Sequence, residues 1–288
     1  MAVRSEEGVI VKAVGGIFKV KTANKTYKCT ARGILKRDDK LYVGDKVILR
    51  EERGVWFIYD VKPRKNVLIR PYVANVDCLA VVIAPVPLCD WLMVDKMLLA
   101  GEVHGIRVVL ICNKTDLGDE HYAYAQKVYG DLADVYALSA ETGEGVKELA
   151  DCLSGVVCLA GQSAVGKSSL MNALADLNQE TGGLSKIQRG RNTTRHIELF
   201  EVRPNLCMMD TCGFSLLEAE DVKEGELPLY YPDFVRLGRC KFHGCTHTAE
   251  PECVVKDAVA KGELDEGRYT RYVTIYNELV ERRKNSYD

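Results

Sequence analysis

The chain has no long uninterrupted hydrophobic run. Its most apolar stretch, Cys78 to Cys89, is broken by Pro85 and Pro87, well short of the ~20 residues a membrane-spanning helix needs. The opening MAVRSEEGV carries no apolar signal core. These absences lead to the expectation of a cytoplasmic protein with no membrane partner. Internal repeats and low-complexity tracts are missing too. Net charge is almost nil, −2 over 288 residues, and only 8% of residues are aromatic. What is present is ordinary globular composition, 47% hydrophobic and 28% charged. At ~150 residues per domain that length suggests two domains or three small ones.

The small net charge conceals an asymmetry. Residues 1–70 hold 17 Lys/Arg against 8 Asp/Glu, residues 71–229 hold 12 against 23, and the last 59 residues hold 10 of each. A basic module on an acidic body is suited to meeting a polyanion through one end, although a solvated basic face would show the same count. The chain has 11 cysteines, an odd number. Eight of them (29, 78, 89, 112, 152, 158, 207 and 212) are scattered, mostly in apolar runs, as expected of buried free thiols in a reducing compartment.

Residues 8 to about 62 read as five short strands, GVIVKAV, GIFKVKT, KTYKCTA, LYVGDKVIL and VWFIYDV, separated by turn residues such as Gly15-Gly16 and Arg53-Gly54. Five strands and no long helix predict a small β-barrel of the OB type; an SH3-like barrel fits nearly as well. Phe18, Tyr27 and Tyr42 are candidates to stack on nucleic-acid bases, though barrel aromatics are more often core. After the connector KPRKNVLIRPY the pattern changes to short apolar runs, DCLAVVIA, RVVLICN, DVYALSA, VVCLAG and LCMMD, alternating with helix-like segments. One helix is capped by Asp90 and runs to about His104; others fall near 119–130, 144–153 and 167–175. This alternation predicts a parallel sheet covered by helices on both faces. Beyond about residue 225 the strands stop, and helices are expected near 252–262 and 265–284. The expected domains are an OB-fold barrel (1–66), an α/β domain (67–225) and a helical, metal-binding domain (226–288).

Gly161-Gln162-Ser163-Ala164-Val165-Gly166-Lys167-Ser168, followed by Ser169, has the form G-x-x-x-x-G-K-[ST] between an apolar strand and a helix. Glycines let backbone amides turn inward around phosphate oxygens. The helix N-terminus adds its positive end. Lys167 supplies a point charge to the β- and γ-phosphates, and the Ser168 hydroxyl a ligand for Mg²⁺. Asn113-Lys114-Thr115-Asp116, after the strand RVVLI, has the form N-K-x-D. A carboxylate there accepts the N1–H and N2 amino donors of guanine, a pair adenine does not offer, which is the strong kind of discrimination. Ser139-Ala140, ending DVYALSA, would brace the base. Asp210-Thr211-Cys212-Gly213 has the form D-x-x-G. Asp210 would hold Mg²⁺ through water, and the Gly213 amide would sense the γ-phosphate. In the polar stretch between Thr181 and Arg195, Thr193 or Thr194 would complete the Mg²⁺ shell. The motifs appear in the order N-K-x-D, Ser-Ala, P-loop, Thr-Thr, D-x-x-G, a cyclic rotation of the order in ordinary regulatory GTPases. Domain termini often lie close together, so a circular permutation preserves a fold.

In the tail, Cys240-x4-Cys245-x-His247-x5-Cys253 is a Cys3His set for one structural Zn²⁺, with His243 as a possible substitute ligand. Metal would staple a segment too small to build its own core.

These marks, with NVLIRPYVANVD (66–77), GQSAVGKSSL, GRNTTR and DTCGF, resemble the RsgA (YjeQ/YloQ) family of circularly permuted GTPases along essentially the whole chain. The resemblance implies GTP hydrolysis to GDP stimulated by the small ribosomal subunit late in its maturation, with contacts to ribosomal RNA (rRNA). A monomer is expected. Three residues depart from the family pattern. Asn192 and Arg195 stand where G-R-H-T-T-T is usual, and Cys212 replaces the Pro of D-T-P-G-F. If the switch His orients the attacking water, Asn192 must do so less well, or another group such as nearby His196 must serve. Phe214 also follows the D-x-x-G glycine where many signalling GTPases carry a water-orienting Gln, so slow intrinsic hydrolysis is expected. A non-catalytic, GTP-binding and RNA-binding assembly factor is the alternative. A P-loop kinase is disfavoured by N-K-x-D followed by Ser-Ala.

Overall fold

The computed structural model describes residues 4–32, 40–69, 72–180, 197–210 and 222–285. Ser5–Val14 (β1), Ile17–Thr22 (β2), Thr26–Ala31 (β3), Lys46–Glu52 (β4) and Val55–Val61 (β5) close into a barrel in the order β1-β2-β3-β5-β4, with β4 returning to β1. This five-stranded closed barrel is the OB architecture. Period-2 alternation turns Ile10, Val20, Tyr27, Cys29, Val47, Leu49 and Ile58 into its core.

The fourth strand starts five residues later than the pattern LYVGDKVIL predicts. Gly44 sits at φ +93°, and a Cβ there would meet the Ala74 carbonyl oxygen at 2.1 Å. The fully buried Asp45 carboxylate accepts from the Tyr42 amide at 2.8 Å and from Arg64 Nε at 2.7 Å. Residues 41–45 are therefore a plug. It ties the barrel to a short hairpin, Val67–Ile69 (β6) with Tyr72–Ala74 (β7), that the sequence pattern does not announce.

The central sheet comprises Cys78–Ile83 (β8), Arg107–Cys112 (β9), Asp134–Ala137 (β10), Gly155–Ala160 (β11), Leu199–Arg203 (β12) and Leu206–Asp210 (β13), in the order β10-β9-β8-β11-β13-β12. Its strands are parallel except β12, an edge strand absent from the strands expected on sequence. β12 is joined to β13 by the turn Pro204-Asn205, with Asn205 left-handed at φ 64°, and so short a connection allows only antiparallel pairing. Separate hydrophobic clusters cover the two faces of the sheet. The covering helices are Trp91–His104 (α1), Glu120–Tyr129 (α2), Val146–Cys152 (α3) and Lys167–Glu180 (α4). Asp90 caps α1 as expected, its Oδ1 accepting from the Met93 amide at 3.1 Å. Numbered from β11, the sheet order becomes 2-3-1-4-5-6 in cyclic form, with β8 beside the P-loop strand. The permutation thus moves the chain's entry point and leaves the sheet whole.

In the tail, a 3-10 turn (Leu227–Tyr230) precedes helices Pro232–Arg236 (α5), Val254–Ala260 (α6) and Glu266–Asn285 (α7). The tail does not stand alone. Its cluster of Leu227, Tyr231, Phe234, Val255, Tyr272 and Ile275 includes Leu99 of α1. Arg268 Nη1 donates to the buried Asp95 of α1 at 2.7 Å, and Arg271 pairs with the same carboxylate. The barrel is seated by β1 and β2. Lys12 and Lys19 pair with Glu198, Lys21 pairs with Glu201 of β12, and Val9, Val11 and Ala13 pack on the central core. Among the described residues no helix is long and apolar enough to cross a membrane.

Candidate functional site

At the carboxyl ends of parallel strands, beside the point where strand order reverses, an α/β sheet presents its ligand crevice. The P-loop leaves β11 there. Gly161 is at φ +135°, with a virtual Cβ only 2.2 Å from the Val82 carbonyl oxygen; Ala164 is left-handed at φ 65°. The loop thus doubles back tightly before Lys167 opens α4. Val165 is buried beneath it, whereas Ser163, Ala164 and Ser169 are exposed. Lys167 Nζ lies along the loop, donating to the Gly161 carbonyl at 2.8 Å and the Gln162 carbonyl at 2.6 Å. The Gln162 side chain accepts from the Asp90 amide at 3.0 Å, joining the loop to the start of α1.

Asn113 links the three motifs nearest the sheet. It is 1% exposed at the end of β9. Its Nδ2 donates to the Val165 carbonyl at 2.9 Å, and its Oδ1 accepts from the Ala140 amide at 3.0 Å. Lys114 is left-handed at φ 63°, and its Nζ reaches two carbonyls, Ala164 in the P-loop and Val86 in the loop after β8, both at 2.7 Å. Thr115 and Asp116 follow on a 3-10 turn, Asp116 exposed. Ser139 is fully buried, and its hydroxyl holds the Thr142 amide at 3.2 Å. An open cleft of about 410 Å³ lies between the Ala140–Gly143 turn and α4, with Ser169 and Asn172 on its helix wall. Asp210 closes β13, and its backbone is in register with Leu159 of β11, one strand from the P-loop. Thr193, Thr194 and Gly213, like Asn192, Arg195, His196, Cys212 and Phe214, lie outside the described residues.

In the tail, the ligand atoms of Cys240, Cys245, His247 and Cys253 all lie within 4.8 Å of one another. Cys240 Sγ is 3.5 Å from His247 Nδ1 and 3.8 Å from Cys253 Sγ. A tetrahedral zinc centre with Zn–S about 2.3 Å and Zn–N about 2.0 Å has S···S edges of about 3.8 Å and S···N edges of about 3.5 Å. The donor set and its spacing therefore fit one four-coordinate metal ion. His243 is exposed and not in this cluster. The loop is fixed from behind: the Tyr269 hydroxyl donates to the His247 carbonyl at 2.8 Å, and Glu250 accepts from the Thr246 amide and hydroxyl at 2.8 Å each. Burial pushes the Glu250 carboxyl up, but hydrogen bonds from Thr246 and Thr248 outweigh it and hold the group at about 2.

A family model of the RsgA GTPase matches residues 61–220, and one of the RsgA N-terminal domain matches residues 7–54. The chain belongs to the RsgA GTPase family. It is 40% identical over 291 residues to the small ribosomal subunit biogenesis GTPase RsgA of Geobacillus kaustophilus, covering 96% of this chain and 98% of that protein. It is 36% identical over 284 residues to the protein of that name from Ruminiclostridium cellulolyticum, covering 94% and 93%. Among solved structures it resembles YjeQ from Thermotoga maritima, with a TM-score of 0.81 at 34% identity over 96% of this chain and 99% of that one. It also resembles YloQ, described as a circularly permuted GTPase, with a TM-score of 0.76 at 33% identity over 97% and 96%.

Several features of this RsgA-family site lie outside the motifs. The Val86 carbonyl, Asp90, whose amide meets the Gln162 side chain of the P-loop, and His121, whose Nε2 is 3.1 Å from the Asn113 carbonyl oxygen, belong to none of them. On the barrel, Tyr27 points into the core, Phe18 packs half-buried against it, and Tyr42 stacks on Tyr72 with centroids 5.6 Å apart. The ring most open to solvent among the five barrel strands is instead Tyr59, 43% exposed.

Proposed function

We propose that this chain binds GTP with Mg²⁺, docks on the small ribosomal subunit late in its maturation, and hydrolyses GTP to GDP and phosphate there, so that hydrolysis times its release. The observation that carries the nucleotide reading is Asn113, whose one side chain binds the guanine turn to both the P-loop and the Ser139-Ala140 turn. The names borne by the relatives support the ribosomal part.

In this reading the amides from Gln162 to Ser169 surround the phosphates, and Lys167 turns from the loop carbonyls to the β- and γ-oxygens. Ser168, and Asp210 through water, would hold Mg²⁺, which would neutralise charge on the phosphates, with Thr193 or Thr194 completing its shell. Gly213 reports the γ-phosphate. Asp116, open at the rim, accepts the two guanine donors, and the stem of Lys114, with Thr115, Ser139 and Ala140, frames the base. The four tail ligands hold one structural Zn²⁺ with no position left for chemistry.

The barrel meets rRNA through the β3-β5-β4 face, because β1 and β2 are taken by β12. That face carries Tyr59 with the Arg50 guanidinium 3.5 Å from its ring centre, Phe57 with Arg32 at 5.7 Å, and the exposed Lys28 and Lys46. Rings under guanidinium planes, flanked by lysines, are the elements of a single-strand stacking platform. The proposal includes a cytoplasmic monomer; the described cysteines are all free thiols, as a reducing compartment favours.

The test is GTP turnover by the purified chain with and without small ribosomal subunits, with Lys167→Ala as control. Strong stimulation, lost in the variant, is expected. Bound GTP with no stimulation would instead support a non-catalytic assembly factor.

A further inference from the structure

Asn113 is anchored at three of its four polar groups by elements already described: its amide donates to the Ile83 carbonyl at 2.8 Å, and its side chain bridges Val165 and Ala140. The fourth group is its own carbonyl. The chain turns left-handed at Lys114 immediately after it. The 3-10 turn that follows is closed by the Lys114 and Thr115 carbonyls, which accept from Leu117 and Gly118. The Asn113 carbonyl takes no part in that turn, and at a residue 1% exposed it needs a donor. His121, in the first turn of α2, supplies one. The residue is 6% exposed, and its Nε2 stands 3.1 Å from the Asn113 oxygen.

A carbonyl oxygen only accepts, so Nε2 carries the hydrogen. Nδ1 is buried with no partner among the described residues. Desolvation holds the imidazole below its ordinary pKa, against the opposing pull of the Asn113 carbonyl, Glu120 and Asp119.

We propose that His121 is a positioning residue for guanine recognition: its Nε2–H fixes the Asn113 carbonyl and thereby sets where the next three residues present Asp116. The inference rests on Asp116 as the reader of guanine. α2 is a firm base for such a contact, since its Ala125 and Tyr129 are fully buried in the central core.

The experiment measures GDP and inosine diphosphate affinity for the full chain as wild type, His121→Leu, His121→Gln and Asp116→Ala. Inosine lacks the N2 amino group but keeps N1–H, so the GDP-to-IDP ratio reads the N2 half of the two-donor contact to Asp116. Leucine keeps bulk and removes the donor; glutamine places an amide N–H near the original Nε2. His121→Leu is expected to weaken GDP about fivefold, as the loss of one buried hydrogen bond does, and to shrink the GDP-to-IDP ratio. His121→Gln should stay within about twofold of wild type. With saturating GTP, turnover should change less than KM. The proposal is overturned if His121→Leu keeps the wild-type ratio whatever its stability, or if the glutamine and leucine variants are equally impaired. If Asp116→Ala itself keeps the wild-type ratio, the guanine reading fails, and this inference with it.

Discussion

Gly166 offers the sharpest quantitative test of the nucleotide site. A Cβ built there would lie 2.3 Å from Asn113 Nδ2, and its φ is +97°. Gly143 in the Ser139-Ala140 turn has a similar φ, +84°, but nothing within 4 Å of its virtual Cβ. The pair separates steric contact from backbone strain. Left-handed backbone costs a non-glycine residue about 1–2 kcal/mol at either position. At Gly166 alone, the new methyl must also push the Asn113 amide from the Val165 carbonyl. The amide cannot swing away freely, because its Oδ1 is held by Ala140 and its backbone by Ile83. Leaving a buried donor unpaired adds about 1–3 kcal/mol. Gly143→Ala should therefore cost about 1–2 kcal/mol in urea unfolding, and Gly166→Ala about 2–5 kcal/mol. GDP affinity should fall in the second and hold within about twofold in the first. Equal unfolding costs for the two variants, within about 0.5 kcal/mol, would refute the claim that Asn113 packs on the P-loop as described.

In the tail, Cys253→Ala should reduce bound zinc from one per chain to none by elemental analysis. Amide exchange should then quicken across 240–279 while β8 and β9 stay protected. Asp95→Asn removes the buried carboxylate that Arg268 and Arg271 share, leaving Arg268 paired with Asp233 and Arg271 only 4.0 Å from Asp265; a loss of about 2–4 kcal/mol in chemical denaturation is expected, and a neutral effect would show that the network is hydrated in solution. On the barrel, Tyr59→Ala should weaken small-subunit binding by about 1–3 kcal/mol without changing the fold seen by circular dichroism. Unchanged affinity in a salt titration would remove the β3-β5-β4 face as the RNA platform.

Features that depend on neighbours in sequence are legible from the residues alone. The Asp90 cap, the Cys240–Cys253 spacing and the P-loop each declare themselves within about a dozen residues. Period is equally clear where it is unambiguous. KTYKCTA puts Tyr27 on the same face as Cys29 and Ala31, and all three are buried, so the alternation itself argues against Tyr27 as a stacking residue. VWFIYDV is harder, since aromatics at Trp56, Phe57 and Tyr59 fall on both faces and period 2 cannot rank them. Other features come from partners far along the chain. Asp95 sits in WLMVDKMLLA with no local hint that Arg268, 173 residues on, will neutralise it. β12 is inconspicuous because an edge strand needs only one apolar face, and LFEVR offers little more than that. Gly44 gives no local sign that the Ala74 carbonyl crosses above it.

The arrangement of α2 gives the permutation a mechanical consequence beyond chain order. At its first turn His121 contacts the Asn113 carbonyl, at the head of the N-K-x-D turn. Further along, the Tyr124 hydroxyl donates to Asp265 at 3.0 Å, and the Tyr129 hydroxyl accepts from Arg271 of α7 at 2.9 Å. Trp91 of α1 packs on both tyrosine rings, with centroids 4.5 and 5.9 Å away. One ten-residue helix therefore touches the N-K-x-D turn at one end and, along the rest, the tail that carries the Cys240/Cys245/His247/Cys253 cluster. Packed helices shift as units rather than deform continuously. A displacement of the N-K-x-D turn must either break the His121 contact or tilt α2 against Arg271 and Asp265. The tail is thus joined to the GTPase sheet by the covalent link after Asp210, by the packing of α1 through Leu99 and Asp95, and by this strut. Arg271→Ala removes its contacts with Tyr124 and Tyr129 of α2 and with Asp95 of α1 while leaving the N-K-x-D turn itself untouched.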